Sequence, residues 1–144
     1  MPADSTWFYW AVMSAVFAAL TAIFAKIGIQ GVDSDLATLV RTAIILVVLS
    51  GFVMYAHKWS NPLQLSGKTW GFLVLSGLAT GASWVCYFRA LKIGDASKVA
   101  PVDKLSVVLV AVFATLFLSE RPSLRDWFGI ALVAGGIVIL GLKR

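Results

Sequence analysis

Carboxylates are scarce in this chain, and so are the side chains from which most catalytic sites are assembled. Seven Asp and Glu stand against twelve Lys and Arg in 144 residues, with one histidine and one cysteine. Cys86 alone cannot close an internal disulfide, and with His57 it cannot supply the ligands of an ordinary zinc site. The sequence offers no Ser/His/Asp set, no metal cluster and no paired carboxylates. It therefore does not point to an enzyme, and neither a cofactor nor a metal is expected. The phosphate-cradling pattern G-x-x-x-x-G-K-[ST] is also missing, so a transport activity would have to draw on an ion or substrate gradient. The first residues, MPADSTWFYW, lack the basic stretch that opens a cleavable signal peptide. The first apolar run is accordingly expected to be retained as a helix.

What the chain has in abundance is apolar surface. Hydrophobic residues make up 60% of it and charged residues 13%, where a soluble domain is nearer half and a quarter. With a mean hydropathy of +0.89, that surface exceeds what one small core could hide, and a bilayer is its natural solvent. The net charge of +5 then reflects Lys and Arg at the ends of membrane spans, and nucleic-acid binding is rejected.

Five stretches are long and apolar enough to cross: about 7–29, 36–57, 70–91, 99–118 and 127–142. Helix start signals mark their edges. Asp33 to Asp35 offers caps for the second span, and Ser123-Leu-Arg-Asp126 fits a capping box before the fifth. The segment SNPLQLSGKT reads as a loop, and Trp7, Trp10, Trp59, Trp70 and Trp127 fall near span ends, where interfacial aromatics belong. The reading is an all-α membrane protein, with residues 1–144 forming one transmembrane domain. Gly77 and Gly81, a G-x-x-x-G, and Gly129, Gly135 and Gly136 are small residues that permit close helix approach.

An odd number of spans puts the termini on opposite sides. Lys58, Lys68, Arg121 and Arg125 lie on one side. Lys26, Arg41, Arg89, Lys92, Lys98, Lys104, Lys143 and Arg144 lie on the other, so four stand against eight. Removing Lys26, Arg41 and Lys104, which can sit within spans, leaves four against five, a near balance that fixes no orientation.

The remaining information lies in charges at membrane depth, each of which costs a few kcal/mol or more on insertion scales and needs a reason. Lys26 either snorkels to the headgroups or serves a site. Arg41, about five residues into the second span, either snorkels or lines a cavity. Arg89 and Lys92 suit the C-terminal dipole of the third helix. Asp103 follows Pro101, where the fourth helix is expected to start or break. It caps, pairs with Lys104, Lys98 or Arg41, or exchanges a proton. Broken helix ends expose backbone dipoles that transporters use to hold ligands. Trp84 and Tyr87, three apart on one helix face, line a cavity or simply pack.

The stretch YFRALKIGDASKVAPVDKLSVVLVAVFATLFLSERPSLRDWFGIALVAGGIVIL resembles the EamA-type domain of the drug/metabolite transporter superfamily, above all in RALKIGDASKVAP, LFLSER and GIALVAGGIVIL. AALTAIFAKIGI and Arg41 within LATLVRTAIILVVL fit the first and second helices of the same family. The resemblance implies one half of a ten-helix inverted-repeat transporter fold, in which helices one to four of each half surround the substrate path. The chain is similar to the short single-domain bacterial and archaeal members. Thr21, Arg41, Trp84 and Tyr87 then fall on cavity-side helices. Glu120 matches a family signature at a helix end, closing the turn against Arg121 or Arg125. The four-helix multidrug exporters of the superfamily depend on a glutamate in their first helix, and this first span has no carboxylate, which argues against their cation-drug exchange.

These observations lead to a gradient-driven secondary transporter of small polar metabolites in the cytoplasmic membrane. The expected substrate-binding residues are Thr21, Arg41, Trp84, Tyr87, Asp103 and Lys104. In KIGDASKVAPVDK, Lys92 and Lys98 would lie in water, with Asp103 and Lys104 at the mouth of the path. The expected partners are the lipid bilayer, a small-molecule substrate and a second copy of the chain. Two copies rebuild the ten-helix path by inverted symmetry only if they insert oppositely, hence an antiparallel homodimer, with a parallel one as rival. A non-transporting scaffold or subunit of a larger membrane complex is the alternative.

Overall fold

The computed structural model describes residues 6–142; the first five residues, and Lys143 and Arg144 of the charge balance, lie outside the described residues. Six α-helices follow one another: α1 (Thr6–Gly28), α2 (Ser34–Tyr55), α3 (Gly67–Ile93), α4 (Ala96–Asp103), α5 (Leu105–Phe117) and α6 (Leu124–Gly141). With α4 and α5 taken together, five segments are long and apolar enough to cross a membrane. The all-α, five-span reading of the sequence holds. The helices fall into two compact units divided between Lys92 and Ile93.

Little of the apolar surface is hidden inside the chain. Among the described residues the buried hydrophobic side chains are Ala22, Ile29, Phe88, Leu91, Ala114 and Ile137. Outer positions such as Val47, Leu75, Leu116 and Ile139 are largely exposed. In water such surface would drive aggregation, whereas lipid solvates it, so these helices need only satisfy their own backbones. Hydroxyls within the spans comply as well. Thr38, Thr42, Thr80 and Thr115 each donate to the carbonyl four residues back, at 2.7–2.8 Å.

The helix ends follow local rules. Asp33 caps α2, its carboxylate accepting from the N–H groups of Asp35 (2.9 Å) and Leu36 (3.1 Å). At the other end of α2, His57 adopts a left-handed backbone (φ 53°). Its N–H reaches the Met54 carbonyl and the Lys58 N–H reaches the Val53 carbonyl, a Schellman closure built on a non-glycine residue. The helix therefore ends at Tyr55, two residues before the expected span does. In the connection to α3, Pro62–Gln64 forms a short 3-10 turn, and the Trp70 indole N–H donates to the Pro62 carbonyl at 3.0 Å. Ser123 and Asp126 form the expected capping box of α6.

The fourth span departs from expectation in where it breaks. Its helix begins at Ala96, carries Pro101 in its interior, and is interrupted at Lys104. Proline has no N–H to offer the carbonyl one turn back, which weakens the ladder around it. The chain then tightens, with Lys104 N–H bonded to the Pro101 carbonyl and Val107 N–H to the Lys104 carbonyl, both at 2.9 Å. In this second unit α6 packs along both α4 and α5.

The packing glycines make no close approach here. A Cβ added at Gly77, Gly81, Gly129, Gly135 or Gly136 would meet nothing within 4 Å.

Candidate functional site

In the first unit, α1, α2 and the end of α3 line an open cavity of about 580 Å³. Thr21, Phe24, Ala25 and Gly28 of α1 line it, with Val40, Arg41, Ile44 and Ile45 of α2 and Phe88 of α3. The volume falls in the range of small-molecule sites, about 300–1,000 Å³. Its walls are almost wholly apolar, and Arg41 is the one charged residue that lines it.

Arg41 is the eighth residue of α2, on the order of 10 Å along the axis from the helix start. Its guanidinium carbon lies over the rings of both Trp84 and Phe88, 4.7 Å from each centroid. Trp84 and Phe88 are four apart on α3 and stack one turn above the other, so a cation crossing from α2 meets both. Arg41 Nε is buried and has no hydrogen-bond partner among the described residues. The choice left open in the sequence is thereby narrowed: Arg41 lines a cavity.

Below the cavity, three cations fasten the last turn of α3. Arg89 makes a two-pronged contact with Asp35, Nε to Oδ1 at 3.0 Å and Nη2 to Oδ2 at 2.6 Å. Lys92 donates to the Val32 carbonyl at 2.8 Å, and Lys26 to the Leu91 carbonyl at 2.6 Å. Arg89 and Lys92 are thus cross-links to the start of α2 and the turn before it, beyond serving the dipole of their own helix. Lys26 turns its ammonium onto the last turn of α3. Gly31 sits in the same turn with φ +75°, a conformation that suits glycine.

Of the expected substrate-binding residues, Thr21 and Arg41 line the cavity, and Trp84 holds Arg41 from behind. Tyr87 and Phe88 meet edge to face, the centroids 6.0 Å apart. Asp103 and Lys104 belong to the second unit, where they pair with each other at 3.6 Å. Nearby, Lys98 pairs with Asp95 at 3.5 Å. Among the described residues no ion pair joins Glu120 to Arg121 or Arg125. Ser119 instead takes a left-handed backbone (φ 55°), which turns the Glu120 N–H back to the Ala114 carbonyl at 3.2 Å and closes the turn through the main chain. Sequence reasoning missed Phe88, because Trp84 was paired with Tyr87 at a spacing of three. The i, i+4 spacing of Trp84 and Phe88 is the signal that would have found it.

Comparison with known proteins agrees with the fold. The chain is 54% identical over 139 residues to a Sinorhizobium protein named "Uncharacterized transporter in cobO 3'region", covering 96% of this chain and 99% of the relative. It is 30% identical over 105 residues to a Salmonella enteritidis protein named "Probable 4-amino-4-deoxy-L-arabinose-phosphoundecaprenol flippase subunit ArnE", covering 68% of this chain and 95% of that one. Against the Bacillus subtilis "Uncharacterized transporter YxxF" it is 25% identical over 136 residues, spanning 94% of this chain but 42% of the relative. No solved structure matches. The family described as EamA-like transporter family matches residues 5–142, and the five apolar spans agree with it: the chain is a multi-pass membrane protein that belongs to the EamA-like transporter family.

Proposed function

We propose that the chain is a gradient-driven secondary transporter that moves small polar metabolites across the cytoplasmic membrane. The observation that carries this reading is the 580 Å³ cavity with Arg41 on its wall, in a chain of a transporter family. A cation at membrane depth is costly unless something uses it. Thr21 and Arg41 would contact the substrate, with Trp84 and Tyr87 supporting the wall. Asp103, beside the Lys104 break, is the carboxylate we assign to coupling, with Lys104 as its counter-charge. Both units act in this reading as one transmembrane domain.

The working assembly in this proposal is an antiparallel homodimer. The span of 42% of the Bacillus relative, the near balance of Lys and Arg, and the open surfaces at Gly77 and Gly81 support it. Adding Lys to the loop 60–66 should hold that side inward in every copy. Such a variant should be inactive alone and recover activity when co-expressed with one fixed the opposite way. Full activity alone, with a C-terminal reporter on one side only, would exclude the antiparallel dimer.

A second reading is favoured by the ArnE relatives, named as flippase subunits for a lipid-linked amino sugar. In it the chain is a subunit of a larger membrane complex that handles a lipid-borne substrate. Uptake into proteoliposomes of the purified chain with a metabolite panel separates the two. Saturable flux by the chain alone supports the transporter, and flux only with a second, different subunit supports the complex.

A further inference from the structure

The walls of the Arg41 cavity restrict what can bind there more sharply than the word metabolite does. We infer that the site takes organic anions: an oxyanion, carboxylate or phosphate monoester, seated on Arg41, with an apolar stem lying along α1 and α2. The inference rests on the transporter reading only in treating the cavity as a substrate site.

Three observations converge. First, Arg41 is the charged group on an otherwise apolar wall, and no carboxylate of the described residues pairs with it. A guanidinium in such surroundings gains most from an anion, whose charge it neutralises through two parallel hydrogen bonds. Second, Arg41 Nε is a buried donor that no protein acceptor meets. That nitrogen lies inside the wall, so the guanidinium keeps donor capacity the protein leaves unused, and a ligand would meet it at the terminal Nη groups. Third, the aromatic faces of Trp84 and Phe88 are already covered by the protein's own cation at 4.7 Å. Those rings would otherwise attract a quaternary ammonium. With Arg41 in place, a cationic ligand meets repulsion, and the ring faces turned to Arg41 are taken. Phe24, Val40, Ile44 and Ile45 supply the surface for the stem. Inorganic phosphate would satisfy Arg41 but leave that surface empty.

Two sources share this chemistry, a soluble organic anion and the headgroup region of an anionic lipid. Both are tested with the full chain in phosphatidylcholine nanodiscs, using hexyl phosphate as probe and isothermal titration calorimetry, with empty discs subtracting partition. Hexyl phosphate should bind saturably at one site per chain, at least about tenfold more tightly than inorganic phosphate, and hexyltrimethylammonium should not bind. Arg41→Gln should weaken hexyl phosphate about 10- to 100-fold, and Arg41→Lys should restore part of the loss. Should Arg41→Gln fail to fold, Ala37→Phe, which narrows the cavity beside Arg41 and leaves Arg41 intact, should weaken binding at least about tenfold in its place. Phosphatidic acid in the discs that competes with the probe makes the ligand a lipid anion; absence of competition makes it a soluble one. Equal binding by the folded Arg41→Gln and Ala37→Phe variants, or preference for hexyltrimethylammonium, overturns the assignment. Binding of hexyl phosphate without flux in proteoliposomes would leave the ligand class standing and remove the transporter reading. Saturable metabolite flux without anion binding would do the reverse.

Discussion

Replacing Lys26 with methionine tests whether the interior of the first unit is held as described. Lys26 Nζ donates to the Leu91 carbonyl across 2.6 Å, and Leu91 itself is fully buried. That carbonyl lies in the last turn of α3, which ends at Ile93, among the helix-end acceptors that lack a partner further along the helix. Methionine keeps the length of the stem and a similar helix propensity, so the substitution removes the ammonium and little else. A hydrogen bond to a charged donor contributes about 1.5–3 kcal/mol, and an abandoned buried acceptor costs a comparable amount. Lys26→Met should therefore destabilise the chain by about 2 kcal/mol, read as a shift in the midpoint of equilibrium unfolding by SDS in mixed micelles. Lys92→Met is the internal reference. Its donor reaches the Val32 carbonyl at an exposed site, where water can replace it, and its loss should cost under about 1 kcal/mol. A snorkelling Lys26 predicts the opposite order, since methionine is the better lipid-facing residue. A Lys26→Met chain as stable as the parent, or more so, would refute the inward-facing geometry.

Three further outcomes follow from particular contacts. Ser123→Ala removes the hydroxyl that accepts the Asp126 N–H, and should lower stability by about 1 kcal/mol in the same unfolding assay. His57→Gly relieves a left-handed non-glycine backbone at the Schellman closure of α2 and should raise stability by up to about 1 kcal/mol, whereas a loss would mean that the imidazole itself holds the turn. Asp103→Asn should abolish gradient-driven uptake into proteoliposomes while sparing exchange of substrate across them; full activity would remove Asp103 from the coupling role.

The five spans, their apolar exteriors and two of their caps were legible in the sequence, because each depends on neighbours within a turn or two. Twenty apolar residues signal a span wherever they occur, and Asp33 and Ser123 need only the N–H groups two or three residues ahead. The family could be read there too, because its motifs are continuous. The break in the fourth span was half legible: Pro101 announced it, but the tightening falls at Lys104, where turn geometry and not composition decides. Pairing between helices could not be read at all. Arg89 meets Asp35 across 54 residues, and Lys26 meets Leu91 across 65. The same lysine and arginine types, rotated by one helical position, would face lipid headgroups. Arg41 lies against Trp84 and Phe88 because the azimuth of α2 against α3 turns it there. Hydropathy sets which segments enter the bilayer; the rotation of each helix about its own axis, set by packing with its neighbours, decides which of their few polar side chains face the cavity.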